Sequence, residues 1–134
     1  MKIRCMYIEN EIIVELLRKL GLPSDVKIFT GRENWLCTDN SERELKPTWR
    51  GEKIYYLFMS AENLHKYVDH PGYKLDLKKV IEKFGDNNTK IFILSGFEEC
   101  NSFVKRYYKD LSLEFIEHDH WDNMANSIIE ILNR

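Results

Sequence analysis

The period of the apolar positions changes along this chain, and each change marks an element. "KIRCMYI", Lys2 to Ile8, ends in a β-rich run and predicts a first strand. Asn10 follows, where its side-chain oxygen can accept an N–H of a new helix. "EIIVELLRKLG" then spaces Ile12, Ile13, Leu16, Leu17 and Leu20 onto one helical face. Gly21 sits just past that helix, and Pro23 prevents its continuation. "VKIFT", Val26 to Thr30, alternates apolar and polar residues as a strand does, and Gly31 ends it.

Arg32 to Arg50 has no sustained period. "ENWLCTD" fits a strand there, and "NSERELKPTWRG" reads as a connection broken at Pro47 and Gly51. "KIYYLFMS", Lys53 to Ser60, becomes apolar on both faces near its end, which predicts a central strand. Ser60 is placed to cap a short helix that Pro71-Gly72 would end. "KLDLKKVIEKFG" brings Leu77, Val80, Ile81 and Phe84 together at helical spacing, with Gly85 after them. "KIFILSG", Lys90 to Gly96, is a buried strand. "ECNSFVKRYYKDL" gives Cys100, Phe103, Val104, Tyr107 and Leu111 one face. "LEFIEH" is a further strand, and "DNMANSIIEILNR" closes the chain as a helix.

The order β-α-β-(β)-β-α-α-β-α-β-α predicts a single α/β domain over residues 1–134. Its architecture is a three-layer sandwich with a mostly parallel central sheet. The late β-α-β-α half should be parallel with right-handed crossovers. No internal repeat, low-complexity tract or linker interrupts it.

Composition narrows the classes. A chain of 134 residues can bury roughly two-thirds of its unfolded surface, so it needs no staple to fold. Its 43% hydrophobic content argues against disorder. The formal net charge of −2 supplies no global field for nucleic acid, so DNA contact would need a local patch or a basic partner. Cys5, Cys37 and Cys100 are odd in number and widely spaced, which fits a reducing compartment better than a disulfide framework. The acid-interrupted N-terminus does not read as a signal peptide, and no apolar run approaches the length of a membrane span.

Candidate chemistry is sparse. In "EHDHWD", His118 and His120 would share a face if the strand reached them, a start for zinc, but no third ligand lies nearby in sequence. The simpler reading is a strand-to-helix corner, with Asp119 or Asp122 as cap and Trp121 packed under the first turn. Ser95 ends a central strand, where open α/β sheets bind ligands, and His118 could serve it as base. The GxSxG elbow is absent, as are GxGxxG and GxxxxGK[ST]. This leaves a small enzyme with a nucleotide-like ligand as an alternative. Glu33, Asp39, Glu42 and Glu44 are the acids a magnesium-dependent nuclease would need, but they fall in the unpatterned stretch, where a solvated acidic loop is the simpler reading. Lys105, Arg106 and Lys109 form one basic stripe able to touch phosphates.

The succession "KIYYLFMSAENLH", "KKVIEKFG", "KIFILSG", an amphipathic helix and "LEFIEHDHWDNMANSIIEIL" resembles the XPF-type nuclease fold. It is most similar to the non-catalytic subunits of that fold, above all the meiotic sporulation-protein-sixteen branch, a relative of the small partner of the XPF excision-repair nuclease. The resemblance covers nearly the whole chain in element order. Catalytic members carry a GD…ERKxxxD signature. Here "SERELKP" has Glu42-Arg43 followed by Glu44, and the other alignment puts Phe58, Met59 and Ser60 in those places. Either way the signature is broken, which implies a pseudo-nuclease with no catalytic residue, metal or cofactor. The chain ends at Arg134, with no room for the tandem helix-hairpin-helix domain of the repair subunits, which favours the meiotic branch.

The resemblance further implies a heterodimer with a larger XPF-like subunit of the Zip-two type. The pair would bind branched DNA and promote meiotic crossover formation without cutting, on meiotic chromosomes in the nucleus. The faces expected to meet the partner are those of the last two helices: Phe103, Tyr107, Trp121, Ile128 and Ile129. Ile129, beside Ile128 and Ile131, widens the final apolar face beyond one sheet contact. Lys105, Arg106 and Lys109 are the expected DNA contacts.

Overall fold

The alternating patterns assemble into one layered unit, seen here in a computed structural model that describes residues 2–8, 10–30, 53–62, 64, 77–96 and 98–134. The strands are β1 (Arg4–Ile8), β2 (Val26–Thr30), β3 (Ile54–Ser60), β4 (Lys90–Ser95) and β5 (Leu113–Glu117). The helices are α1 (Glu11–Leu20), α2 (Leu77–Phe84), α3 (Glu98–Tyr107) and α4 (Trp121–Leu132). The strands form a sheet in the order β2-β1-β3-β4-β5, and every described pairing is parallel. This is one of the two common doubly wound orders: the chain goes out from β1 to β2, then returns past β1 to build the other half.

Helices cover both faces, so the α/β three-layer architecture holds. On one face α1 and α4 lie side by side, and Ile13, Val14, Leu17, Met124, Ala125 and Ile128 pack onto Met6, Ile8, Phe58 and Phe92. On the other, Leu77, Val80 and Phe84 of α2 and Val104 of α3 pack onto Tyr7, Leu57, Met59, Ile91 and Ile93. β3 is the middle strand and is buried on both sides, as its two-faced apolar end predicts. The Phe58 and Phe92 rings stack at 5.0 Å.

Local signals explain the ends of several elements. The Asn10 side chain accepts from the Ile13 N–H at 3.1 Å and starts α1. Gly21 closes α1 at φ +93°, a conformation costly for any residue with a Cβ, and its N–H returns to the Leu17 carbonyl. Gly85 ends α2 for a different reason. A Cβ there would collide with Thr89 Oγ1, which donates to the Ile54 carbonyl at 2.7 Å and accepts from the Asp86 N–H at 3.0 Å.

At the N-terminal edge of the sheet, Arg4 ties four segments together. Its guanidinium grips the Asp25 carboxylate with two bonds of 2.6 and 3.0 Å, and donates to Tyr56 Oη and the Leu132 carbonyl, each at 2.9 Å. The Leu132 contact supplies a cation to carbonyls at the C-terminal end of α4, where the helix dipole favours one. The hydrogen bonds from Arg4 hold the Asp25 carboxyl below its ordinary range.

Several expectations are corrected here. The buried face of α1 is Ile13, Val14 and Leu17, whereas Ile12 and Leu20 are 53% and 50% exposed. At the end of α3 the core takes Tyr108, the residue just past the helix, and Tyr107 is 56% exposed. Trp121 does not pack under the first turn of α4, being 48% exposed. Neither Asp119 nor Asp122 caps that helix: His120 holds the N-cap position and makes no side-chain cap bond. The expected strand in "ENWLCTD" lies outside the described residues, as does nearly all of the short helix after Ser60, although Ala61 and Leu64 are buried in the core.

Candidate functional site

Parallel strands bring the starts of α3 and α4 to the same C-terminal edge of the sheet, beside the ends of β4 and β5. A cleft of about 640 Å³ opens there. Among the described residues its lining is polar or glycine, with three carboxylates (Glu98, Glu117, Asp119) and one ammonium (Lys105).

Register decides which of these groups can work together. Ser95 pairs with Glu117 across β4 and β5, so the two side chains share the α3 face. Asn101, on the buried side of α3, donates from Nδ2 to Glu117 Oε1 at 2.9 Å. His118 follows Glu117 and points to the other face, where its Nε2 meets Ser127 Oγ of α4 at 2.7 Å. The Ser95–His118 pair expected as nucleophile and base is therefore divided between two faces, although both residues border the cleft. The backbones do meet: the His118 N–H donates to the Ser95 carbonyl at 3.2 Å. Gly96 suits this approach, since a Cβ there would stand 3.3 Å from the His118 carbonyl oxygen.

The two histidines do not converge on a shared ion position. His118 is engaged by Ser127, while His120 is exposed at the start of α4. Among the described residues, no group of three or more His, Cys, Asp and Glu is arranged to hold a metal ion. Glu33, Asp39, Glu42 and Glu44 lie outside the described residues.

The expected partner residues fall on two layers. Ile128 is fully buried against the sheet and presents no surface, so it is core rather than interface. Ile129 is half-buried on the flank of α4, and Trp121 is exposed on its first turn. Phe103 and Tyr107 stack at 5.7 Å on α3, on the opposite face of the sheet. Lys105, Arg106 and Lys109 are exposed. Lys105 also sits over the Phe115 ring, with its Nζ 4.8 Å from the centroid.

Two sets of residues were missed by sequence reasoning. Helical spacing puts Ile12 and Leu20 on one face with Ile13, Leu16 and Leu17, but they expose an apolar line along α1, continued by half-buried Leu16. Asn101 lies three residues before Val104 on the buried line of α3. A polar residue on an apolar face is a signal the sequence does carry. Cys100 lies next to it, and burial, then Glu62 and Glu99, push its thiol up.

No protein-family model matches this chain, and no curated protein or solved structure matches it. No helix among the described residues is long and apolar enough to cross a membrane.

Proposed function

We propose that this chain is a non-catalytic subunit of the XPF-type fold, pairing with a larger XPF-like subunit of the Zip-two type. The pair binds branched DNA and promotes meiotic crossover formation in the nucleus. The observation that carries the pairing is the outer surface of the α1–α4 layer. Ile12 and Leu20 are each about half exposed there, beside half-buried Leu16 and Ile129, and Trp121 is exposed at the start of α4. Scattered surface apolar residues need no explanation, but several on one pair of adjoining helices mark a contact surface.

The arrangement also separates two tasks. The α1–α4 layer faces one way, while Lys105 and Arg106 at the end of α3, and Lys109 in the turn after it, lie across the sheet. A partner on the first surface leaves the basic stripe open to phosphates. Phe103 and Tyr107 share that α3 layer, so they are better placed beside DNA than within the subunit contact.

Co-purification with the larger subunit tests the reading. Ile12→Glu/Leu20→Glu changes only exposed side chains, so folding should persist while recovery of the partner falls at least tenfold. Tyr107→Glu should leave recovery unchanged. If Tyr107→Glu abolishes pairing and the α1 double variant does not, the contact lies on the other layer. If neither chain retains the other at all, the pairing itself is wrong.

A further inference from the structure

The exposed apolar residues of α1 are not scattered. Ile12, half-buried Leu16 and Leu20 recur at every fourth position, so they form one ridge along the helix, about 12 Å long at 1.5 Å per residue. The neighbouring row of the helix lies three residues on from Ile12 and Leu16, and it contains Glu15 and Lys19, both exposed. Among the described residues, neither makes a salt bridge within the chain. An apolar ridge therefore runs beside an acid and then a base, in that order from the start of the helix.

That order selects an occupant. A second α1 laid antiparallel across the ridge, on a two-fold axis near Leu16, brings Ile12 against the second copy's Leu20 and Leu16 against its counterpart. The same placement sets Glu15 of each copy level with Lys19 of the other, and symmetry forms both pairs at once. A parallel placement sets Glu15 beside Glu15 and Lys19 beside Lys19, which repel. The ridge is thus complementary to itself in one direction only. Its extent is small. Three apolar side chains on a helix of 10 residues fall below the roughly 1,200–2,000 Å² that stable interfaces bury, so the contact is weak and depends on concentration.

We infer that α1 is a contact between two copies of this chain, antiparallel and symmetric. Its face is the one assigned above to the larger subunit, and on that reading rests one consequence: the two contacts exclude each other. The self-pair covers Ile12 and Leu20 while the chain is alone, and the larger subunit displaces the second copy.

Sedimentation equilibrium of the full chain from about 10 μM to about 1 mM provides the test, since a weak contact dissociates within that range. The average mass should rise from one chain toward two. Glu15→Lys and Lys19→Glu should each weaken association about tenfold, because symmetry counts each substitution twice. Both positions are exposed, so the variants should stay folded. The exchanged variant Glu15→Lys/Lys19→Glu should associate as the native chain does, since its charges still pair. Ile12→Glu/Leu20→Glu should remain a monomer. A native chain monomeric over the whole range overturns the inference, and so does self-association indifferent to the charge changes. Adding the larger subunit separates the two readings. Replacement of the self-pair by a one-to-one heterodimer supports both. Self-pairing with the expected charge pattern, but unaffected by the larger subunit, supports this contact and contradicts the subunit pairing. A two-to-two complex would put the contacts on separate faces and overturn their exclusion.

Discussion

Single side chains fix where elements begin and how they are tied. Asn10 is the side chain that caps α1. Asn10→Ala should destabilise the chain by about 1 kcal/mol in urea unfolding, and Asn10→Asp should restore most of it. Arg4 acts over a longer range, joining β1 to Asp25, Tyr56 and the end of α4. Because the folded chain holds the Asp25 carboxyl below its ordinary value, its stabilisation is present above about pH 4 and is lost as pH falls through the folded value. Asp25→Asn should therefore be the less stable protein at neutral pH, with the gap closing in acid. Unfolding curves taken from pH 7 down to pH 2 measure this. A gap independent of pH would mean that the carboxylate charge contributes nothing.

At the scale of elements, packing separates neighbours that sequence makes look alike. Ile128 is core and Ile129 is a flank residue, although they adjoin in one apolar run. Ile128→Ala should cost about 2–5 kcal/mol and Ile129→Ala distinctly less, a contrast that thermal or urea unfolding can read directly. Gly85→Ala should cost about 1–3 kcal/mol through its clash with Thr89, although alanine is the better helix former. The strands were legible because short β-rich runs bounded by glycine and proline leave little choice of position: β2 matches the predicted range, and β3 and β4 differ from it by one terminal residue. Helix faces were less legible. In "EIIVELLRKL" apolar residues extend to both sides of the Ile13–Leu17 line, and periodicity alone cannot say that Val14, rather than Ile12 or Leu20, meets the sheet. The same ambiguity exchanged Tyr107 for Tyr108. The cleft was half legible. The strand-end rule points to Ser95 and its neighbours, but β-register is needed to show that His118 faces α4 while Glu117 meets Asn101.

For the whole molecule, the sheet acts as a partition. One helical layer carries the exposed apolar residues of α1 and α4, the other the basic stripe at and just past the end of α3, and the polar cleft opens at the edge where β4 and β5 end. In the proposed complex, replacing Lys105, Arg106 and Lys109 together by alanine should weaken branched-DNA binding and flatten its salt dependence while the subunits stay paired. Loss of pairing in that triple variant would place those residues in the subunit contact instead. The central claim is that this chain works as one half of a heterodimer. Its most direct measurement is the mass in solution of the chain co-expressed with a larger XPF-like subunit, by light scattering on the eluting peak. A one-to-one heterodimer, lost with Ile12→Glu/Leu20→Glu, is the predicted result. Separate elution of two unassociated chains, both folded, would contradict it.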